Sequence, residues 1–226
     1  MSSKDSGELK RPGTTAKRVF ERLIQAILKG DFVGGEPIRE ARLAREWNVS
    51  RTPLREAVRR AAEAGFVVLR PNQAPVVREL SGADIDAMYD LRALLETHAL
   101  KLAWNKIDDK LVKRLDDWAA SATPDEADNW RQQCLQFDRA FHRIWTQRSG
   151  NTWLEADLQR QHKFWSVFQS WVGQNEAALR KAYAEHVNIL EAIHDRDKTR
   201  AVRELRKHIQ TSAAAVKKAL PNGKNT

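Results

Sequence analysis

With 226 residues, 42% of them hydrophobic and 31% charged, the chain has a globular balance that excludes wholesale disorder. It holds no run of about 18 apolar residues and no signal-peptide core, and its lone Cys134 excludes an internal disulfide framework and fits a reducing cytoplasm. Residues 1–78 carry most of the formal charge of +9, with 16 Lys and Arg against 9 Asp and Glu, so a polyanionic partner competes with a merely solvated basic face.

Residues 1–13 read as a disordered tail. Over 14–29, Val19, Phe20, Leu23, Ile24, Ile27 and Leu28 recur at three- and four-residue spacings, which predicts an amphipathic helix stopped by Gly30. The turn-rich DFVGGEP leads to a short helix near 39–46 that carries Leu43 and Ala44. Trp47, Asn48 and Val49 make a tight turn into a third helix over 51–64, ended by Gly65. Thr52 before Pro53 offers a cap followed by proline at the first helical position, with Ser50 as the alternative cap. FVVLR and VVREL, around PNQAP, read as two short strands and their turn.

Three helices followed by a β-hairpin make a winged helix-turn-helix. On its third helix Leu54, Ala57, Val58 and Ala61 share the core face, and Arg51, Arg55 and Arg59 fall in an adjacent sector. A helix that buries one edge and offers arginines from its first turns can enter a DNA major groove, where arginine pairs with guanine or clamps phosphate. A surface helix with incidental arginines is the plainer reading of the same pattern.

From Ser81 onward the character changes to long helices, expected near 82–105, 108–121, 125–148, 151–172, 175–195 and 197–219. Six helices over 80–219 are enough for an all-α bundle with its own core, and 220–226 reads as a second tail. Seven of the eight tryptophans fall in this part, most as core or dimer packing, with a few left to line a cavity.

Asp138 and His142, four apart in CLQFDRAFHRIW, project from one helical face. His186 and His208 lie on the two final helices. If those helices neighbour the first, three imidazoles and a carboxylate converge inside the bundle. Such a set suits Zn²⁺, Ni²⁺, Mn²⁺ or Fe²⁺ with one or two positions left open. The plain alternative is a common helical pair plus solvated or hydrogen-bonded histidines, the class in which His98, His162 and His194 stand. Cys134, one turn before Asp138, reads as a small core residue.

EARLAREWNVSRTPLREAVRRAAEAGF resembles the DNA-binding domain of GntR-type bacterial transcription regulators. LRALLETHAL, FDRAFHRIW, RSGN, EHVNILEAI and RKHI resemble the effector domain of the FadR subfamily, the FCD domain, and six rather than seven helices looks like its VanR branch. The resemblance covers about residues 14–218. It implies a mainly α fold: a winged helix-turn-helix over 14–79, and over 80–219 an FCD-type six-helix bundle for effector binding and dimerisation. Operator double-stranded DNA and a small-molecule effector are the implied partners, with a homodimer, no membrane and no enzymatic activity.

The resemblance further implies that Asp138, His142, His186 and His208 bind a divalent metal, Zn²⁺ first, with Ni²⁺, Mn²⁺ or Fe²⁺ as alternatives. It places Arg92, in YDLRALLE, near the effector cavity; a simple pair with Glu96, one turn on, is the plainer role. Arg51 and Arg55 match positions that contact DNA in relatives, and Arg42, Ser50, Thr52 and Arg59 complete the candidate DNA-binding set. Two departures stand out. Ala41 occupies the place after the second-helix glutamate where relatives often carry arginine, with Arg42 beside it. The wing tip reads PNQAP, with Gln73 and Ala74 where relatives carry a Gly-bearing tip, so sequence preference is expected to rest on the third helix.

The expected protein is a cytoplasmic, ligand-responsive repressor whose helical domain holds a metal and a carboxylate-bearing effector that changes operator affinity. A metal-dependent enzyme with an activated water is the alternative, although no general base stands out beside the ligands. A nucleoid-type DNA binder would explain the charge and leave the metal cavity unused.

Overall fold

Helix α1, Pro12–Lys29, buries Val19, Leu23, Ile24, Ile27 and Leu28 along one face, the stripe expected from their spacing. The structure, a computed structural model, describes residues 12–125 and 128–220, and the chain divides into two units, Met1–Glu79 and Leu80–Thr226. The tails expected at 1–13 and 220–226 lie outside the described residues, apart from Pro12, Gly13 and Leu220. Pro12 and Gly13 already belong to α1, and Leu220 is buried rather than part of a tail.

In the first unit α1 packs on α3, Arg51–Glu63, and α2, Glu40–Glu46, packs beside it. Leu54, Ala57, Val58 and Ala61 of α3 are all buried, as their shared face requires. The turn between α2 and α3 depends on Asn48, whose φ of 53° is a left-handed conformation that asparagine tolerates better than most residues. That turn lets the Asn48 and Val49 amides donate to the Arg45 and Ala44 carbonyls at 3.2 and 3.0 Å, closing the end of α2. The expected Thr52 cap is not what forms. Ser50, in extended backbone and without a side-chain cap bond, precedes the helix, and Thr52 lies inside it. Pro53 is therefore the third helical residue, still in the first turn, where its missing N–H forfeits no intrahelical bond.

The strands are shorter than their valine-rich runs: β1 is Val67–Val68 and β2 is Val76–Val77, antiparallel, with Val67 opposite Val77. Pro71 and Pro75 cannot donate to a ladder and cut both strands short. Residues 35–38 run along the other side of β2, with bonds from Gly35 N to Val77 O (2.9 Å), Val77 N to Glu36 O (2.9 Å) and Ile38 N to Pro75 O (2.7 Å). DFVGGEP is thus more than a connection, because its end covers an exposed edge of the hairpin.

The second unit contains six α-helices among the described residues: α4 Gly82–Ala103, α5 Asp109–Ser121, α6 Trp130–Ser149, α7 Thr152–Val172, α8 Glu176–His194 and α9 Lys198–Ala219. Side-chain caps start most of them. Ser81 and Asp84 form a reciprocal box at α4, and Asp108, Asn151, Asn175 and Asp197 accept from the first turns of α5, α7, α8 and α9. Helix α6 begins at Trp130, later than the expected 125, because Asp125 has a left-handed φ of 69° and its carboxylate is held bidentately by Arg180 at 2.6 and 2.7 Å. Among the described residues no helix is long and apolar enough to cross a membrane.

Helix α4 packs along α6 and α9 and also touches α7, while α8 lies against α9 and α6. Alongside Ile85, Tyr89, Ala93 and Leu100, α4 buries Arg92, Glu96 and Thr97. Polar groups are costly at such positions unless partnered, so this stretch marks the place where the bundle does more than pack. Asn48→Val should lower the stability of the first unit by about 1–2 kcal/mol, because a β-branched residue resists a left-handed backbone, whereas Asn48→Gly should not. Urea midpoints of the two variants check this.

Candidate metal centre and nucleic-acid interface

Three helices supply the metal-ligating candidates. Asp138 and His142 face inward from α6, His186 from α8 and His208 from α9, and one ligand atom from each lies within 4.8 Å of the others. The His142 Nε2 is 3.2 Å from the Nε2 atoms of both His186 and His208. Asp138 Oδ1 stands 3.6 Å from His186 Nε2 and 3.9 Å from His142 Nε2. The three histidines are buried, and Phe137 and Phe141 pack edge-on against His186, walling the cluster from that side.

Burial, reinforced by the neighbouring imidazoles and Arg92, holds His186 and His208 well below the ordinary histidine range, so both are neutral and offer lone pairs. Burial pushes the Asp138 carboxyl up, against the pull of His142 and Arg92. Its Oδ2 is buried without a hydrogen-bond partner among the described residues.

These observations fit a divalent ion. Ligand atoms around a tetrahedral ion at about 2.1 Å stand about 3.4 Å apart, close to the spacing of the Nε2 atoms. An ion would also give the orphaned carboxylate its counter-charge. Three imidazoles and one carboxylate are a set that Zn²⁺, Ni²⁺, Mn²⁺ and Fe²⁺ all accept.

Next to this cluster Glu96 takes two buried partners. Its Oε1 accepts from Arg92 Nε at 2.7 Å and its Oε2 meets His142 Nδ1 in a short contact. Burial alone would raise the Glu96 carboxyl, but Arg92 and His142 outweigh it and hold it well below the usual carboxylate range. Arg92 is itself kept charged: burial opposes the charge, but the Glu96 carboxylate outweighs it. Its guanidinium lies 5.1 Å from the Trp165 ring centre and 5.6 Å from that of Tyr89, whose hydroxyl is pushed up to about 12 by burial. A cavity of about 380 Å³ opens on Glu96, His142, His162 and Trp165, with Arg143 and Glu155 among its charged walls.

Arg92 thus stands in the pair with Glu96, behind the Trp165 wall, and is not itself among the residues that line this cavity. Sequence reasoning missed three residues here. In the sequence Glu96 reads only as a partner for Arg92, His162 reads as a solvated or hydrogen-bonded histidine, and nothing marks Glu185, which takes His208 Nδ1 at 2.9 Å. Glu185 sits one residue before His186, yet it belongs to His208 across the α8–α9 contact, a pairing no spacing rule reveals. His194 pairs with Asp116 at 2.9 Å and His98 is exposed. Cys134 is buried and donates to the Ala122 carbonyl at 2.9 Å, its thiol pushed up to about 11 by burial.

In the first unit Arg51, Arg55 and Arg59 are all exposed on α3, as are Ser50 and Thr52 at its head. Arg55 is steered by Glu40 at 3.4 Å and Arg59 by Glu63 at 3.0 Å, while Arg51 has no ion pair among the described residues. Arg42 bonds Glu46 at 3.3 Å on the adjacent helix. Arg22 of α1 lies 4.4 Å above the Trp47 ring and so braces the turn before α3. Gln73 and Ala74 are exposed at the wing tip, and exposed Arg70 flanks it, a cation the reading of the tip itself overlooked.

Residues 15–77 match the model of the bacterial regulatory proteins of the gntR family, and residues 87–211 match the FCD domain. The chain belongs to the GntR family, in the FadR-type group that carries an FCD domain, and is a transcription regulator. It is 29% identical to the Nta operon transcriptional regulator of Aminobacter aminovorans, over 79% of this chain and 83% of that protein. To the HTH-type transcriptional repressor NanR of Cronobacter sakazakii it is 27% identical, over 87% and 83%. The Escherichia coli McbR/YncC structure shares the fold at a TM-score of 0.60 and 21% identity, covering 90% of this chain and 97% of that one. The enzyme alternative is set aside, because the matched domains and relatives are regulators.

Removing one member of the Glu96–Arg92 pair leaves a buried charge uncompensated. Glu96→Leu should therefore cost about 3–5 kcal/mol of stability, and Arg92→Met with Glu96→Leu should recover most of it. Urea unfolding in the presence of a chelator checks both without any contribution from metal.

Proposed function

We propose that the protein is an operator-binding repressor that works as a homodimer and answers to a carboxylate-bearing effector through a Zn²⁺-type centre at Asp138, His142, His186 and His208. The observation that carries this reading is the convergence of those four ligand atoms within 4.8 Å, beside a cavity that reaches His142. Ni²⁺, Mn²⁺ or Fe²⁺ suit the same donor set. Bound there, the ion would supply a fixed positive charge, and a coordination number above the four protein ligands would leave a place for an anionic oxygen. The chain's own groups do the rest: Phe137 and Phe141 exclude water on one side, and Trp165 forms a wall of the cavity on another. Arg92 gives its Nε–H to Glu96 and keeps further N–H donors, which would reach the effector's carboxylate once Trp165 moves aside, since Arg92 does not itself line the cavity.

The DNA-facing set is Arg42, Ser50, Arg51, Thr52, Arg55 and Arg59, with α3 as the helix that enters the major groove. Arg51 is the strongest candidate for direct base reading, since no acidic side chain competes for it among the described residues. Repression is supported by the name of the NanR relative, and a cytoplasmic location is the one that the proposed operator binding requires. Leu91, Leu94 and Leu102 form an exposed apolar stripe along α4 (43%, 59% and 39% exposed) that supports a second copy as its cover. Effector binding in the bundle and operator binding are then linked, each changing the affinity of the other by the same factor.

Arg51→Ala and Arg55→Ala should each weaken operator binding by about 1–3 kcal/mol if each reads a base. Mobility-shift titrations at fixed salt measure this, and unchanged affinity in both would sink the assignment of α3. Protein purified without chelator should carry about one divalent metal per chain, as a single four-ligand cluster requires. His186→Ala or His208→Ala should remove most of it and lower the thermal midpoint, because the ion ties α6, α8 and α9 together. Elemental analysis and thermal melts decide; full occupancy in the double variant is incompatible with the site.

A further inference from the structure

We infer that Glu96 and Glu185 are the positioning residues of the three-histidine cluster, each accepting the Nδ1–H of one imidazole and thereby turning that ring's bare Nε2 to the centre. The inference rests on the metal reading above. It begins from the outer nitrogens: Glu96 Oε2 meets His142 Nδ1, and Glu185 Oε2 meets His208 Nδ1 at 2.9 Å. His186, the third ring, sets its Nε2 3.2 Å from that of His142. Two of the three rings therefore have a carboxylate acceptor on the outside. A neutral imidazole carries one N–H, so an acceptor at Nδ1 strips the proton from Nε2.

The bare Nε2 atoms of His142 and His208, 3.2 Å apart, cannot hydrogen-bond one another and present lone pairs to a common point. That is the donor state a metal needs, prepared before the ion arrives. Outer carboxylates of this kind also raise the basicity of the ligand ring.

The two glutamates are not equivalent. Glu96 is almost fully buried and uses both oxygens, one for Arg92 and one for His142. An amide has a single acceptor oxygen, so glutamine at 96 cannot accept from both. If its NH₂ turns to His142, the ring must reverse its tautomer and direct Nε2–H into the centre. Glutamine at 185 keeps an acceptor for its one imidazole and loses only the charge. Glu96 also lines the cavity, so it touches the cluster and the cavity at once.

The test is Zn²⁺ affinity of the full-length protein, measured by competition with a chromophoric chelator, with the visible spectrum of the Co²⁺ form as a second readout. Glu96→Gln is expected to weaken Zn²⁺ by about 10–100-fold and to alter the Co²⁺ spectrum. Glu185→Gln is expected to weaken it less than Glu96→Gln, and Glu185→Ala more than Glu185→Gln. Circular dichroism of the metal-free proteins reports whether each variant folds. If Glu96→Gln does not fold, Arg92→Met with Glu96→Gln removes the uncompensated cation and the same loss is expected. Zn²⁺ affinity within twofold of the parent in folded Glu96 and Glu185→Ala variants overturns the inference and leaves the metal reading standing. A parent protein that takes up no Zn²⁺ overturns both.

Discussion

A carboxylate buried inside a helix bundle must be neutralised and hydrogen-bonded, and Glu96 meets that requirement by accepting from Arg92 on one oxygen and engaging His142 on the other. Much of the second unit can be understood from this constraint. Arg92 must itself be buried, so it needs the Tyr89 and Trp165 faces to lie against. His142 is fixed in one orientation, which sets where its Nε2 points. With that atom placed, His186 and His208 need only approach from α8 and α9 for a cluster to form. Hydrophobic packing alone would hold these helices together, but it would not select this rotation of α4 against α6.

The two units use charge in opposite ways. In the bundle the buried Arg92 and Glu96 charges are paired with one another and their field is confined. On α3 the arginines are exposed, and glutamates steer two of them without burying them, since Arg55 and Arg59 keep most of their surface in water. Exposed pairs of this kind contribute little to stability and are readily exchanged for another anion. Phosphate is such an anion, so on the DNA-facing helix proposed above these Glu–Arg contacts would yield easily to it. The small first unit is braced instead by apolar burial, by Arg22 over Trp47, and by residues 35–38 against the hairpin.

The periodicity of α1, α3 and the six later helices was legible because each buries a face, and a buried face leaves its spacing in the sequence. The start of α6 was not, since Asp125 is kept out of the helix by Arg180, a residue fifty-five positions away. The cap of α3 was misread for a local reason: proline is compatible with any position in the first turn, so Thr52-Pro53 does not fix which residue precedes the helix. The strands were overestimated because valine-rich runs signal burial, and the prolines between them decide how much of the run can pair.

The sequence by itself determined the elements, the basic bias of the first unit, the arginine face of α3 and, through resemblance, which acid and which histidines to compare. These are properties of residue type and local spacing, and neighbours in sequence carry them. Only the tertiary structure decided that Asp138, His142, His186 and His208 meet, that Arg92 belongs to Glu96, and that Glu185 serves His208 rather than the histidine beside it. A cluster drawn from three helices depends on how each is rotated about its axis and slid along its neighbours. Those two quantities are set by packing and by the demand that every buried polar atom find a partner, and no stretch of sequence contains both sides of that contact.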